Sequence, residues 1–576
     1  MKLNRAKTNA REKEKERNAR KMVMRQIPYF RWHSVFSCSM SLVLQLIALI
    51  PVIIMQQIID EWIPGGNTYM ILLSIVSFCM IPVISTVLSA IYRYYLAMIC
   101  RKTGLYLSIK GFRNLVYQPL SYFDKHNSSE LASYCRSEAM KYVSFWLMDI
   151  PQLIASVVSG LIVLLYLLYL NWIIAIFLLA YIPFAFFPSN YFAKQVQTLT
   201  KRIIRNNAKM NQLISDSFKG IKFVKALLLE KHQIAKLKTV NADSVSIWSK
   251  VALYDNMSGI WIHHLSDSLF TSVVFGIIAY FIVLGRNSIG QLVIVLNYSG
   301  KVLEVFKQLI RTNYDLKTKL GEYDKLFSIL AMQCDEVNGG KDFTFHDKIV
   351  YEDVTFSYDE ERGAILDDFN LTIYKGEWVG IVGASGTGKT TIFDLALKFY
   401  SPQKGRILAD GEDLGNISTQ SLRNKITRVS QDIFLFPGTI RENLLLANQQ
   451  ATQGEMNHAI DIACLRNFID SLPDGLDTDI GEDGLLLSGG ERQRLALAQG
   501  MLRQSEIILL DEVTANVDRD AEREIRMALK GIMCSQKLTI IAISHRVDFL
   551  QDSDRIIELE SGKVVRNTTY EQYIQS

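Results

Sequence analysis

Long apolar runs separated by basic connections fill the chain up to about residue 312, and from about residue 345 onward short apolar runs alternate with polar ones. A helix rising about 1.5 Å per residue needs about 20 mostly apolar residues to cross roughly 30 Å of hydrocarbon. Six segments meet that requirement, at 35–57, 70–92, 152–170, 173–193, 260–284 and 289–312, and they predict six transmembrane helices. The 576-residue chain thus divides into a half that needs a lipid bilayer and a soluble half with a core of its own.

Lysine and arginine collect on the cytoplasmic side of membrane proteins. Here they gather in the N-terminal tail, in 93–150 and in 194–250, while the short connections 58–68, 170–172 and 285–288 hold only Arg286. That asymmetry predicts both termini in the cytoplasm, and the chain is expected to be a multi-pass protein of the plasma membrane. The two basic connections are longer than turns between helices require, and their apolar spacing predicts helices projecting into the cytosol.

The sixth segment departs from a plain anchor. Asn297, Lys301, Glu304, Gln308 and Arg311 recur at intervals of four and three, which places them on one helical face. A charge at membrane depth costs at least about 2.5–3.5 kcal/mol, so the stripe is expected to line a water-filled cavity; the alternative is that its lower part already lies in the cytosol. Asp267, with His263 and His264, is expected near the cytosolic end of the fifth segment.

Charge and cysteines narrow the picture further. The net charge is +5, and much of the basic excess sits in residues 1–26, expected to be a solvated cytoplasmic tail that touches anionic lipid rather than nucleic acid. No signal peptide is expected, nor a cysteine–histidine peptidase domain ahead of the first span. The seven cysteines show no paired spacing, so neither a disulfide framework nor a zinc site is indicated.

The soluble half carries dense chemistry. Ile381 and Val382 end an apolar strand, and Gly383-Ala384-Ser385-Gly386-Thr387-Gly388-Lys389-Thr390-Thr391 follows, opening a helical run. This is a phosphate-binding loop in its strand–loop–helix setting. Glycines let backbone N–H groups face phosphate oxygens, Lys389 reaches the terminal phosphates, and Thr390 offers a hydroxyl to Mg²⁺. Downstream, Ile507 to Leu510 form a buried strand ending in Asp511, suited to the Mg²⁺ shell, and Glu512, suited to polarising the attacking water.

Between these elements stands Leu487-Ser488-Gly489-Gly490-Glu491-Arg492-Gln493-Arg494, which resembles the signature of the ABC transporter superfamily. The resemblance covers nearly the whole chain and implies an exporter-type half-transporter. Its fold would be a membrane α-helical domain of six transmembrane helices with long intracellular helices, joined to an α/β P-loop NTPase domain of ABC type. The expected boundaries are 27–320 for the membrane domain, 321–345 for a linker and 346–576 for the ATP-binding domain. The resemblance further implies that Tyr358 stacks on adenine, that Gln431 reaches Mg²⁺ and the attacking water, that Asp518 belongs to the loop bridging the dimer, and that His545 contacts the γ-phosphate. Ser488, Gly489, Gly490 and Glu491 would close on ATP held by the other subunit, so a second copy of the chain or a sister half-transporter is required. Thr478 to Gly484 resemble the exporter-type loop that touches intracellular helices.

Four positions depart from the family pattern. Glu491 replaces the usual glutamine, and Ala515, Asn516 and Val517 replace serine, alanine and leucine before Asp518. All phosphate-contacting positions are intact, so hydrolysis is expected to survive. The implied function is ATP-driven export by alternating access, with a bacteriocin-type or modified peptide as the first cargo considered and a lipid or hydrophobic small molecules as alternatives. An ATP-gated channel and a non-transporting regulator are the readings from other classes. Low alanine with abundant lysine, isoleucine and asparagine points to an AT-rich bacterium.

Overall fold

The computed structural model describes residues 30–126, 131, 138–261, 267–332, 340–359, 363–481, 484–515 and 517–575. The basic tail, His263, His264, Glu482, Asp483, Asn516 and the middle of the expected linker lie outside the described residues. The chain forms two compact units, one of Met1–Leu115 with Ser129–Met332, the other of Val116–Ser128 with Gln333–Ser576.

The first unit is helical. Helices Phe30–Ile47 and Ile50–Gln57 run into a π-turn at Ile58–Trp62, so the first connection is shorter than the apolar pattern implied. Helices Thr68–Val116, Ile150–Leu170, Trp172–Lys219, Glu230–Gly259, Asp267–Val283 and Ile289–Ala331 follow. Among the described residues, Phe30–Trp62, Thr68–Val116, Ala139–Leu170 and Ile289–Thr312 are long and apolar enough to cross a membrane; shorter apolar helix occupies Trp172–Tyr181 and Ser268–Val283, at the other two predicted spans. Helices starting in the second and fourth spans continue to Val116 and Lys219, as the basic connections led one to expect.

Leu72, Leu73, Ile75 and Val76 of Thr68–Val116 are exposed, as suits a helix solvated by lipid. Its buried side mixes Ser74, Gly104 and Gly111 with Leu96, Leu107 and Leu115, and a Cβ on Gly104 would stand 2.6 Å from Met140 Sδ, so a side chain there would displace the thioether. The sixth span begins where the pattern placed it, because Ser288 caps it in a reciprocal capping box with Gln291. Asp60 reinforces that start, accepting from the Gly290 N–H at 2.8 Å and the Ser288 hydroxyl at 2.5 Å.

That helix does not stop at 312. It runs to Ala331, through the first part of the stretch expected as linker, because hydropathy reports where lipid ends and not where helix ends. Ile294, Val295, Tyr298, Val302 and Leu303 are buried in the helical core, while Asn297, Glu304 and Arg311 are exposed and Lys301 and Gln308 half-buried. Lys301 pairs with Glu304 at 3.2 Å within the stripe.

The second unit is built on two sheets. Strands β1 (Lys348–Phe356), β2 (Leu366–Tyr374), β3 (Trp378–Gly383), β4 (Lys404–Ala409), β5 (Glu412–Asp413), β6 (Ile426–Val429), β7 (Ile507–Asp511), β8 (Thr539–Ile543), β9 (Arg555–Glu560) and β10 (Lys563–Thr568) appear in that order. One sheet runs β2-β1-β4-β5 and is antiparallel; the other runs β10-β9-β3-β8-β7-β6 and is parallel from β9 to β6. Strands β7 and β8 are buried along their whole length, which explains their unbroken Ile and Leu runs. Register then fixes the site: Ile381 lies opposite Ile543, and Ile543 opposite Asp511. The residues that follow these three strands therefore emerge at one sheet edge, where parallel α/β sheets place their chemistry.

Candidate active site

At the end of β3 the chain turns sharply through Gly383, Gly386 and Gly388, whose φ values are +151°, +84° and +98°. A Cβ on Gly383 would meet the Leu559 carbonyl oxygen at 2.4 Å, so this loop depends on glycine for both conformation and space. Helix Lys389–Ala396 starts at the turn and aims its first N–H groups at the same edge. The Lys389 ammonium is mostly buried and donates to the carbonyls of Gly383 and Ala384 at 2.8 Å each. Burial lowers its pKa, and the carboxylates of Glu512 and Asp511 act against that shift.

The three residues expected to be catalytic, Glu512, Gln431 and His545, meet in one cluster. Glu512 accepts from the Gln431 side-chain amide at 2.8 Å, and its other oxygen lies 2.8 Å from His545 Nε2. Gln431 follows β6, His545 follows β8, and Glu512 follows β7, so the parallel register brings them together. Glu512 itself sits at φ +53°, a left-handed conformation that costs a non-glycine residue on the order of 1 kcal/mol or more. Its N–H bonds the Ile543 carbonyl at 3.0 Å, so the strained backbone is held by the neighbouring strand.

Asp511 is almost fully buried and accepts from Arg428 at 2.7 Å. Arg428 also donates to Asp394 at 2.6 Å, and Asp394 accepts from the Tyr358 hydroxyl at 2.5 Å. The Tyr358 ring is half exposed and stands edge-on to Phe356 and Tyr400. Burial first, then the bond to Asp394, pushes the Tyr358 phenol well above its ordinary range. Tyr400 in turn donates to Asp124, in the short helix Leu120–Asp124 of the same compact unit, at 2.6 Å. Sequence reasoning found Tyr358 and Asp511 but missed Arg428 and Asp394, which no motif marks.

The signature opens helix Gly489–Leu502. Ser488 caps it: its hydroxyl accepts from the Glu491 N–H at 3.3 Å, and the Glu491 carboxylate accepts from the Ser488 N–H at 2.7 Å. Glutamate at this position thus completes a capping box, a signal already present in the S-x-x-E spacing. Asp518 caps helix Arg519–Gln536, accepting from the Ala521 N–H at 2.9 Å, and that bond lowers its pKa. Arg546 donates to the carbonyls of Ala515 and Val517, tying the altered loop to the strand that carries His545. In the exporter-type loop, Ile480 is buried and Asp479 bridges to Thr439. Ser488 and Glu491 bond each other at their own helix start, and Asp518 also lies 3.9 Å from Arg494 of the signature helix.

Thr390, Gln431 and Asp511 offer hydroxyl, amide and carboxylate oxygens, the donor set that a hard cation such as Mg²⁺ takes. Among the described residues no group of three His, Cys, Asp or Glu assembles.

Two family models match the chain: the ABC transporter transmembrane region over residues 34–304, and the ABC transporter model over 366–515. A protein of Desulfotalea psychrophila described as an ATP-dependent lipid A-core flippase is 30% identical over 81% of this chain and 81% of its own length. A protein of Bacillus subtilis, 24% identical over 90% of this chain and 91% of its own, is described as a candidate multidrug export ATP-binding/permease protein. A solved bacterial Atm1-family ABC exporter with ATP bound matches with a TM-score of 0.83 over 95% of this chain and 96% of its own, at 22% identity, a likeness of fold.

Proposed function

The chain belongs to the ABC transporter superfamily as an ATP-hydrolysing exporter half-transporter, and from that premise we propose that its cargo is an amphipathic lipid carried across a bacterial plasma membrane. The observation that carries the proposal is the divided sixth helix. One face is buried in the helical core, and the other presents Asn297, Lys301, Glu304, Gln308 and Arg311 away from it. A polar stripe beside apolar walls suits a molecule with a charged head and hydrocarbon tails. The stripe suits an amphipathic cargo, peptide or lipid, and the flippase relative favours lipid over peptide. Hydrophobic drugs remain the second reading, on the strength of the Bacillus subtilis relative.

In the proposed cycle two chains, each with both termini in the cytoplasm, form two composite ATP sites. The loop Gly383 to Thr391 wraps the phosphates of ATP, Lys389 neutralises the terminal ones, and Tyr358 takes the adenine. Thr390, Gln431 and Asp511 would hold Mg²⁺, which supplies charge neutralisation at the β and γ phosphates when bound. Glu512 accepts the proton of the attacking water, Gln431 orients that water, and His545 fixes Glu512 and the γ-phosphate. Ser488 to Glu491 of one copy cover the ATP of the other, and Asp518 bridges them, so ATP stabilises the closed pair because it touches both halves only there. Residues 27–320 would serve as the translocating domain and 346–576 as the motor.

The test is ATP-dependent movement of a fluorescent phospholipid in proteoliposomes. Lipid translocation that disappears with Glu512→Gln is the expected result. Movement of a hydrophobic dye or peptide without any lipid movement would sink the lipid assignment.

A further inference from the structure

Arg428 occupies a position that neither a motif nor the resemblance marks. It lies on β6, with Leu509 of β7 as its pairing partner, and its side chain reaches Asp394 on the helix that follows the phosphate loop. Its guanidinium joins two carboxylates, Asp511 at 2.7 Å and Asp394 at 2.6 Å, and stands 6.0 Å from the centre of the Phe393 ring. The Nε of Arg428 is buried without a hydrogen-bond partner. All three charged side chains are largely shielded from water, so their mutual fields are weakly screened. The other oxygen of Asp394 accepts from Tyr358, which completes a chain of bonds from the adenine tyrosine to the metal aspartate.

We propose that Arg428 is a positioning residue that sets the affinity of the ATP site for its divalent cation, with Asp394 as the counter-charge that limits how strongly Arg428 competes for Asp511. A fixed positive charge on one Asp511 oxygen opposes a divalent cation approaching the other. ATP phosphates overcome that opposition by adding negative charge from the opposite side, so the cation enters with the nucleotide and not ahead of it. Removing the guanidinium strengthens cation binding in the absence of nucleotide. Removing the Asp394 charge frees Arg428 to hold Asp511 harder and weakens it. These opposite signs separate an electrostatic role from simple loss of structure.

The inference rests on Asp511 as a metal ligand. The experiment is a Mn²⁺ titration by electron paramagnetic resonance on the full chain in lipid nanodiscs, without nucleotide and then with a non-hydrolysable ATP analogue. Without nucleotide, Arg428→Met should bind Mn²⁺ about tenfold or more tightly than wild type, a change worth about 1.4 kcal/mol. Asp394→Asn should bind it more weakly, Arg428→Met with Asp394→Asn should fall between Arg428→Met and wild type, and Arg428→Lys, which keeps the charge, should stay near wild type. With the analogue the spread should narrow. Affinities that stay equal, or that move in the same direction for Arg428→Met and Asp394→Asn, overturn the proposal. Asp511→Asn distinguishes the two levels: if it abolishes nucleotide-free Mn²⁺ binding while the arginine variants change nothing, only the role of Arg428 falls; if it leaves that binding intact, the metal-ligand reading falls as well.

Discussion

The two halves of this chain spend their hydrophobic residues in opposite ways. In the nucleotide-binding unit, β7 hides every residue from Ile507 to Asp511, and the chemistry stands at the strand ends. In the membrane unit, the apolar first part of helix Thr68–Val116 turns Leu72, Leu73, Ile75 and Val76 outward and buries Ser74. A soluble core rewards large apolar residues inside, whereas a lipid-solvated helix gains nothing by hiding them and packs through small ones. Phosphate chemistry also admits few side chains at each position, while a cavity wall admits many, which is why one half can be read residue by residue and the other only in layout.

The largest effect that would sharpen this contrast is loss of the phosphate-loop charge. Lys389→Met should cut ATP turnover by on the order of 10²–10³-fold, while the membrane helices keep their helical signal by circular dichroism. Next, Leu509→Ala, at a fully buried position, should cost about 2–5 kcal/mol, and Leu72→Ala on the lipid-facing side far less; calorimetry of the full chain in nanodiscs measures both. Equal losses at the two sites would break the comparison. Ser488→Ala removes a helix cap and should cost about 1 kcal/mol, with Ser488→Gly costing only a few tenths.

A smaller effect is pH-dependent. Burial acts to raise the pKa of Asp410, but the N–H groups of His346, Asp347 and Lys348 outweigh it, so the folded-state value lies below the ordinary one. Because that value is depressed, its stabilisation is present above the unfolded pKa of about 3.9 and is lost as pH falls through the folded value. Asp410→Ala should therefore lower the melting temperature at pH 7, and the gap should close on acidification.

Much of the active site was legible in the sequence because each motif sits at a strand end that the parallel register then aligns. Glu512, Gln431 and His545 are 81 and 33 positions apart in pairs, yet all follow strands of one sheet and meet at 2.8 Å. Arg428 and Asp394 were not legible, since nothing in a strand residue and a helix residue separated by 34 positions announces a shared partner in Asp511. The capping role of Glu491 is readable from the S-x-x-E spacing alone. The extension of the sixth helix to Ala331 escaped because charged residues end a hydropathy signal without ending a helix.

The most direct measurement is ATP turnover and bound nucleotide in nanodiscs, comparing wild type with Glu512→Gln while recording oligomeric state. If Glu512 accepts the proton of the attacking water, wild type hydrolyses ATP as a dimer, and the variant loses on the order of 10²–10⁴-fold in kcat while retaining ATP. A variant that turns over ATP at the wild-type rate would contradict the catalytic cluster of Glu512, Gln431 and His545.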